Sequence, residues 1–165
     1  MKTETENKKG AWASFGELCE LHFDAVNRYH RYRSNSVWDA DDLTAAVFLK
    51  ALENFHKYWG DAPFAVWLFR IANNAYVDYL LRRRREMVFS EGETTLLETP
   101  PSGPEEELLR DVVSLRYAGE LKFGQIALAL GKTASSVRMI HHRALRALRA
   151  IYLRDSPLEF VCANV

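Results

Sequence analysis

The sequence predicts an all-α protein composed of two small helical domains joined by a flexible linker. Apolar residues recur at helical spacing through most of the chain, and no stretch shows the alternation typical of a strand. Prolines, glycines and small polar residues concentrate in one internal segment, SEGETTLLETPPSGP. With 165 residues, 48% of them hydrophobic, the chain is long enough to build one ordinary domain or two small ones.

The first domain, predicted over residues 11–88, begins with two amphipathic helices. The apolar stripe of the first helix ends before SNSVWDADD and consists of Phe15, Leu18, Leu21, His22, Ala25, Val26 and Tyr29. We expect Asp39 to cap the second helix, with Asp42 three residues later in the capping-box position. The buried side of the second helix is predicted to comprise Leu43, Val47, Ala51, Phe55 and Tyr58.

A third helix follows the break HKYWGDAP, in which Gly60 ends one helix and Pro63 marks the start of the next. Its predicted apolar face consists of Phe64, Trp67, Leu68, Ile71, Ala75 and Tyr79. Its polar face carries Arg70, Asn73 and Asn74 and ends in four adjacent arginines, Arg82, Arg83, Arg84 and Arg85. Arginines can fork onto phosphate oxygens, so this run favours a phosphate-binding cluster. The loop aromatics Tyr58 and Trp59 fit two interpretations equally well, core packing or stacking on unpaired bases.

Residues 89–106 are predicted to form an acidic linker. The segment from Ser90 to Glu107 holds six glutamates and no basic residue, so it is unsuited to lying along DNA. We expect an extended strap with a domain on either side, followed after the second domain by a short tail of unassigned role at residues 156–165.

The second domain, predicted over residues 107–155, carries the outline of a helix-turn-helix. In LKFGQIALALGKTASSVRMIHHRALRAL, Gly131 is expected to end one helix, and Thr133 to cap the next. From Lys132 to Arg154 there are six basic residues and no acid, although the whole chain is neutral. The face predicted to pack inward consists of Val137, His141, Ala144, Leu145, Leu148 and Ile151. The face predicted to touch bases in a major groove consists of Ser135, Ser136, Arg138, Met139, His142 and Arg143.

Several function classes are not expected. Glycine-rich phosphate loops, nucleophile motifs and metal-ligand sets are missing from the sequence, which argues against an enzyme and against a cofactor. Cys19 and His22 have the spacing that could begin a zinc site, but nothing nearby supplies further ligands, so no metal is expected. Cys19 and Cys162 are expected to be thiols in a reducing cytosol, since neither a signal peptide nor a membrane span is recognisable.

Three segments, in this order, resemble the extracytoplasmic-function (ECF) group of the sigma-70 family of bacterial RNA polymerase sigma factors. They are FGELCELHFDAVNRYHRYR with DADDLTAAVFLKALENF, then PFAVWLFRIANNAYVDYLLRRRR, and finally LKFGQIALALGKTASSVRMIHHRALRAL. The resemblance covers Phe15 to Tyr152. The helix W-L-x-R-I-A-x-N ending in arginines is its most specific part, because a helix-turn-helix by itself occurs in many regulators.

The resemblance implies a transcription initiation factor that binds core RNA polymerase and promoter DNA. It implies docking on the clamp helices of the largest polymerase subunit through Asp39, Asp42, Leu43, Val47 and Phe48. Melting and reading of the minus-ten element would fall to Tyr58, Trp59, Arg70, Asn73, Asn74, Arg82, Arg83, Arg84 and Arg85. Reading of the minus-thirty-five element would fall to Ser135, Ser136, Arg138, Met139, His142 and Arg143. A contact with the polymerase flap and an anti-sigma factor are further partners that the resemblance implies.

One alternative stays open at this point. The chain would then be a degenerate, sigma-like interaction module that binds polymerase or a regulator without recognising a promoter. Initiation at selected promoters by core polymerase would separate the two functions.

Overall fold

The computed structural model describes residues 4–34, 36–58, 60, 62–89 and 103–155 of the chain. These residues form six α-helices and one short 3₁₀ turn, with no strand among them, so the predicted all-α fold is confirmed. The helices are α1 (Glu4–Arg33), α2 (Val37–Asn54), α3 (Phe64–Phe89), α4 (Pro104–Tyr117), α5 (Phe123–Leu130) and α6 (Ala134–Asp155), and the 3₁₀ turn is Phe55–Lys57. No helix in these ranges is both long and apolar enough to cross a membrane.

The start of α2 differs from the prediction. Ser36 caps this helix, because its hydroxyl accepts a hydrogen bond from the backbone N–H of Asp39 at 3.4 Å. Asp39 therefore lies in the first helical turn, where its negative charge suits the positive end of the helix dipole. Serine and aspartate cap helices about equally well, so the sequence alone placed the cap three residues too late.

Helices α1, α2 and α3 pack together around a core that includes the fully buried Val26, Val47 and Leu68. The buried face of α3 is wider than predicted, because Phe69 and Tyr76 are also buried. This helix packs on α1 and α2 along one side and on α5 along another, so a single apolar stripe does not describe it. Trp67, Ile71 and Tyr79, which were predicted to belong to the apolar face, are only half-buried.

Helices α4, α5 and α6 form the second unit, whose core includes Val112, Leu115, Ile126, Val137 and Ile140. A tight turn joins α4 to α5. It places Glu120 in the left-handed region with a φ of 56°, and the backbone N–H of Leu121 donates to the carbonyl of Leu115 at 3.1 Å. The turn brings α5 back across α4, which leaves α6 to pack on both helices.

The two units are in direct contact along a surface that we call the seam, where α4 lies on α1 and α5 lies on α3. Buried apolar residues of both units form one continuous cluster across it. At its centre a side chain at Gly119 would place its Cβ 3.0 Å from the ring of Phe69 and 2.8 Å from the carbonyl of Leu115. Only glycine allows the α4–α5 turn to approach α3 this closely. Most of the predicted linker, residues 90–102, lies outside the described residues.

Candidate nucleic-acid and polymerase interfaces

The helix-turn-helix geometry follows the predicted turn chemistry. Gly131 ends α5 in the left-handed conformation with a φ of 63°, and the N–H of Lys132 donates to the carbonyl of Ala127 at 2.8 Å. Thr133 caps α6, because its hydroxyl accepts from the backbone N–H of Ser136 at 3.2 Å. These two residues fix the angle at which α6 leaves α5 and therefore which side chains of α6 face outward.

The outward face of α6 contains all six residues that were predicted to touch bases. Ser136 is half-buried beside its cap, and the exposed members are Ser135, Arg138, Met139, His142 and Arg143. Arg143 lies 3.4 Å from the carboxylate of Glu105 on α4, and both side chains are largely exposed, so this ion pair is weak and exchangeable. The first half of α6 therefore presents a basic and largely exposed surface.

The inward face of α6 is rotated slightly from the prediction. Ile140 is buried in the core, whereas His141, which was predicted to be a core residue, lies at the core's edge. The Nε2 atom of His141 is 3.2 Å from the hydroxyl of Tyr117, which supplies the partner that its imidazole needs. Burial, with the nearby charges of Arg116 and His142, lowers the pKa of His141 below its usual value. His141 thus closes the edge of the core as a neutral ring.

In the second half of α6, the face that the sequence predicted to be buried is partly exposed. Leu145, Leu148 and Ile151 are 40%, 51% and 50% exposed, respectively, instead of buried. They line a groove of about 730 Å³ that runs between α4 and α6 and reaches Arg28 and Tyr32 on α1. We call it the α4–α6 groove.

On α3, some of the predicted promoter-contacting side chains are exposed, and others are hydrogen-bonded within the protein. Arg70 and Asn74 are exposed, whereas Asn73 is half-buried with its Oδ1 atom 3.1 Å from the hydroxyl of Tyr29. In the preceding loop, Tyr58 donates to the carbonyl of Ala62 at 2.8 Å and packs its ring on Phe64 and Trp67. These contacts favour a structural role for Tyr58, and Trp59 lies outside the described residues.

The arginine run occupies the last turns of α3. Arg82, Arg84 and Arg85 are exposed, and Arg83 is half-buried, donating to the hydroxyl of Tyr79 at 3.0 Å. Tyr79 in turn donates to the carboxylate of Asp39 at 2.8 Å. Burial and the bond to Asp39 raise the pKa of Tyr79. The start of α2 and the arginine run are thus joined by one hydrogen-bonded chain.

The predicted polymerase-docking patch on α2 needs correction. Val47 is completely buried and Leu43 is 7% exposed, so both support the helix from inside and present almost no surface to a partner. The exposed Asp42, the half-buried Asp39 and Phe48, whose ring stacks on that of Phe23, remain available.

The sequence interpretation also missed exposed apolar residues on α2. Trp38 is 81% exposed and Leu49 is 58% exposed, and both lie outside the apolar stripe. Trp38 could have been recognised from the sequence, because it lies outside the apolar stripe and beside the acidic first turn of α2. A large apolar side chain on the polar side of an amphipathic helix indicates a contact surface.

The possible zinc pair has a structural role instead. The ring of His22 packs 5.7 Å from that of Phe64, and burial lowers the pKa of His22 and raises that of Cys19. Within the part of the chain that the structure describes, no three His, Cys, Asp or Glu residues are grouped so that they could hold a metal.

Two family patterns match the chain, one for each helical unit. The pattern of Sigma-70 region 2 matches residues 18–86, and that of Sigma-70, region 4 matches residues 106–150. The chain belongs to the sigma-70 family. Among its relatives, the ECF RNA polymerase sigma factor SigW of Bacillus subtilis is 25% identical over 90% of this chain and 93% of SigW. The ECF RNA polymerase sigma factor BldN of Streptomyces coelicolor is 26% identical over 87% of this chain and 62% of BldN.

Solved structures share the fold of this sigma factor. CnrH, in complex with the cytosolic domain of CnrY, superposes with a TM-score of 0.67 at 25% identity and covers 88% of this chain and 91% of CnrH. RpoE of Bartonella quintana, in complex with the anti-sigma factor NepR, has a TM-score of 0.70 at 20% identity over 87% of this chain and 99% of RpoE. Sigma factors direct RNA polymerase to promoters and are not enzymes, and this chain is an ECF member of the family.

Region 2 of the sigma factor therefore comprises most of α1 together with α2 and α3, and region 4 comprises nearly all of α4 together with α5 and most of α6. The most polar contact between the two regions was not anticipated from the sequence. Arg33 at the end of α1 is 4% exposed and pairs with Glu107 and Asp111 of α4. Nothing in an unaligned sequence marks a charged residue at a helix end as buried, so this contact became visible only in the structure.

Proposed function

We propose that this sigma factor acts in the cytoplasm, where it binds core RNA polymerase and reads two promoter elements, one with each region. The observation that carries the proposal is the charge and exposure of α6. Its first half exposes Arg138, Met139, His142 and Arg143, and the segment Lys132–Arg154 contains no acid.

The minus-thirty-five element is assigned to α6. The residues near the N-terminus of a recognition helix are those that reach base edges in a major groove. Arg138 is exposed on this part of α6, and an arginine can bond to O6 and N7 of guanine at once. Arg146 and Arg149 are exposed further along the helix, and contacts from them to phosphates would strengthen binding without selecting a sequence.

The minus-ten element is assigned to α3. Arg70 and Asn74 are exposed on its polar face, and the arginine run at its end supplies the positive charge that a melted strand requires. Stacking and pocket contacts of roughly 1–3 kcal/mol per base can offset the few kcal/mol that local unpairing costs. A small number of contacts is therefore enough to hold the open strand.

Polymerase docking is assigned to the exposed side of α2 and to the α4–α6 groove. On α2, Trp38 and Asp42 are exposed and Asp39 and Phe48 are half-buried, a mixture of charge and apolar surface suited to the clamp helices. In the groove, Leu148 and Ile151 offer an apolar surface for the flap. Neighbouring exposed apolar side chains of this kind are typical of a protein interface.

The arrangement that the structure shows does not allow the two promoter elements to be read at the same time. Their centres are about 25 base pairs apart, which is about 85 Å of B-DNA. A folded chain of 165 residues has a radius of gyration of about 15 Å and is about 40 Å across. Regions 2 and 4 must therefore separate on the promoter, and core polymerase supplies the two docking sites that hold them apart.

An anti-sigma factor is a further proposed partner. The solved complexes of CnrH with CnrY and of RpoE with NepR support this proposal by likeness of fold. The exposed surface of α2 and the α4–α6 groove would be occupied by either partner, so an inhibitor and polymerase would compete.

Run-off transcription with core polymerase on a library of promoter fragments tests the proposed function. We expect discrete start sites that depend on the added chain, together with selection of two conserved elements about 25 base pairs apart. Binding to polymerase without any start-site selection would instead show an interaction module and overturn the proposal.

A further inference from the structure

The α4–α6 groove is lined mainly by apolar side chains although it opens to solvent. Leu148 and Ile151 of α6 are about half exposed, and the half-buried Leu109 and Val113 of α4 line it as well. Burying apolar surface is favourable in proportion to its area, so neighbouring apolar side chains left in water indicate a contact surface. No element among the described residues covers this groove.

The segment that follows α6 has the composition of a cover for the groove. The tail, residues 156–165, begins directly after the helix ends at Asp155 and has the sequence SPLEFVCANV. Six of these ten residues are hydrophobic, and only one is charged. A segment of this composition gains stability by packing on an apolar surface.

The tail is also long enough to run back along the groove. The stretch of α6 from Leu145 to Asp155 is about 15 Å long at 1.5 Å per residue, whereas ten extended residues span about 33 Å. Pro157 cannot continue an α-helix, and a residue that precedes a proline disfavours the helical conformation. The chain is therefore expected to change direction at Ser156, close to the end of the groove at Ile151.

The charges of the tail and the groove are complementary. The charged residues that line the groove are Arg28, Glu106 and Arg110, which together carry one net positive charge. The ion pairs of both arginines are exposed, so either arginine can exchange its partner for another carboxylate. The one charged residue of the tail is Glu159. Exposed ion pairs contribute little affinity, so the charges orient the tail, and its apolar residues supply most of the binding.

We propose that the tail folds back along α6 and occupies the α4–α6 groove, with Leu158 and Phe160 packed on Leu148 and Ile151. The groove is then covered by a segment of the same chain, and any partner that docks there must compete with the tail. The consequence for polymerase rests on the proposed function, which assigns the groove to the flap. The contact between the tail and the groove does not depend on that function.

The tether makes a weak contact sufficient. A segment joined to its binding site by a short flexible connection has an effective concentration of about 1 mM. A tail that binds as a separate peptide with a Kd of about 0.1 mM would therefore fill the groove about ten times as often as it leaves it empty. A competing ligand would then bind about tenfold more weakly than to an open groove.

Binding of a separate tail peptide measures how much of the groove is already occupied. The probe is a fluorescein-labelled peptide of residues 156–165, and its anisotropy is followed as full-length chain is added. The tail variant carries Leu158→Asp and Phe160→Asp. Its matched control carries Ser156→Asp and Asn164→Asp, which add the same charge at polar positions of the tail. We expect the tail variant to bind the peptide about tenfold more tightly than the wild type and the control do.

Substitutions on α6 show where the peptide binds. Leu148→Asp, added to the tail variant, places a charge in the groove and should weaken peptide binding at least about tenfold. Leu153→Asp makes the same change at a side chain that is 62% exposed and does not line the groove, and it should leave binding unchanged. Ile151→Asp replaces Leu148→Asp if a thermal melt shows that the latter unfolds the chain. Equal peptide binding by the wild type and the tail variant, or binding that no α6 substitution alters, would overturn the proposal.

Sedimentation velocity distinguishes the tail from a second copy of the chain as the occupant. The wild type should be a monomer at the concentrations used for the peptide measurements. A dimer that Leu148→Asp dissociates would show that a second copy covers the groove, and the proposal would be wrong.

Core polymerase tests the consequence for docking. It should bind the tail variant up to about tenfold more tightly than the wild type and the control. Equal affinities, with the peptide results as expected, would show that polymerase does not use the groove and would refute its competition with the tail. If polymerase binds none of the chains, the proposed function fails, and the peptide measurement still decides whether the tail occupies the groove.

Discussion

His30 on α1 provides a stability prediction whose size follows from its surroundings. Its side chain is completely buried, and neither ring nitrogen has a hydrogen-bond partner among the described residues. Burial, and then the positive charge of Arg33, lower the pKa of His30 from 6.5 to about 3. The unfolded chain therefore binds a proton at His30 more tightly than the folded chain does.

The sign of the effect is fixed by this order. The neutral His30 ring makes its full contribution to the free energy of unfolding above about pH 6.5, and this contribution is lost as the pH falls from there toward 3. A pH of about 4.5 lies two units below the pKa of His30 in the unfolded chain. Protonation of His30 therefore stabilises the unfolded state there by about 2–3 kcal/mol, at 1.36 kcal/mol per unit. His30→Leu removes this loss, and it should not destabilise the fold near neutral pH because no hydrogen bond disappears.

The assay is urea unfolding followed by circular dichroism near pH 7 and near pH 4.5. The control is His56→Leu, the same change at an exposed histidine of the 3₁₀ turn. Between the two pH values, the free energy of unfolding of the His30→Leu variant should fall by about 2–3 kcal/mol less than that of the wild type and of the control. An equal fall in all three proteins would refute the reasoning.

Three further predictions concern the promoter contacts and the seam. Arg138→Ala should cost about 1–3 kcal/mol and relax the sequence preference at one promoter position in a binding assay with holoenzyme, whereas Arg149→Ala should weaken all sequences alike; an unchanged preference would remove Arg138 from the reading surface. Replacing all four arginines at positions 82–85 with glutamine should flatten the salt dependence of promoter binding, and an unaltered slope would show that they do not meet phosphates. Gly119→Ala should lower the free energy of unfolding by about 1–3 kcal/mol, because the added Cβ would press on Phe69. Gly124 lies in α5 with open space around it, so Gly124→Ala should raise the free energy of unfolding by about 0.5–1 kcal/mol. Equal effects of the two substitutions in thermal melts would contradict this expectation.

The helices, and the residues that end α5 and cap α6 in the helix-turn-helix, could be predicted from the sequence because they depend on interactions between near neighbours in the chain. Gly131 and Thr133 act within a few residues of themselves, so their roles could be predicted without knowing the rest of the fold. The basic surface of α6 was predictable for the same reason, since charge and helical spacing determine which residues share a face.

The missed features depend on what packs beside each helix. Helical spacing identified Leu148 and Ile151 as apolar, but it could not show that no described element covers them. It identified Val47 as buried, whereas the family resemblance assigned the same residue to docking, and the structure supports burial. Arg33 and Asp111 were invisible as a buried pair, because a charged residue is normally solvated and its partner lies 78 residues away in the chain.

The fit of Gly119 against Phe69 makes regions 2 and 4 a matched pair. A chimera that joins this region 2 to a donor region 4 with any larger residue in the α4–α5 turn would carry a ring and a side chain that compete for the same space. Such a hybrid would pack its two regions less closely than either parent, so exchanging regions between paralogues requires a glycine at this turn even when each half folds well on its own.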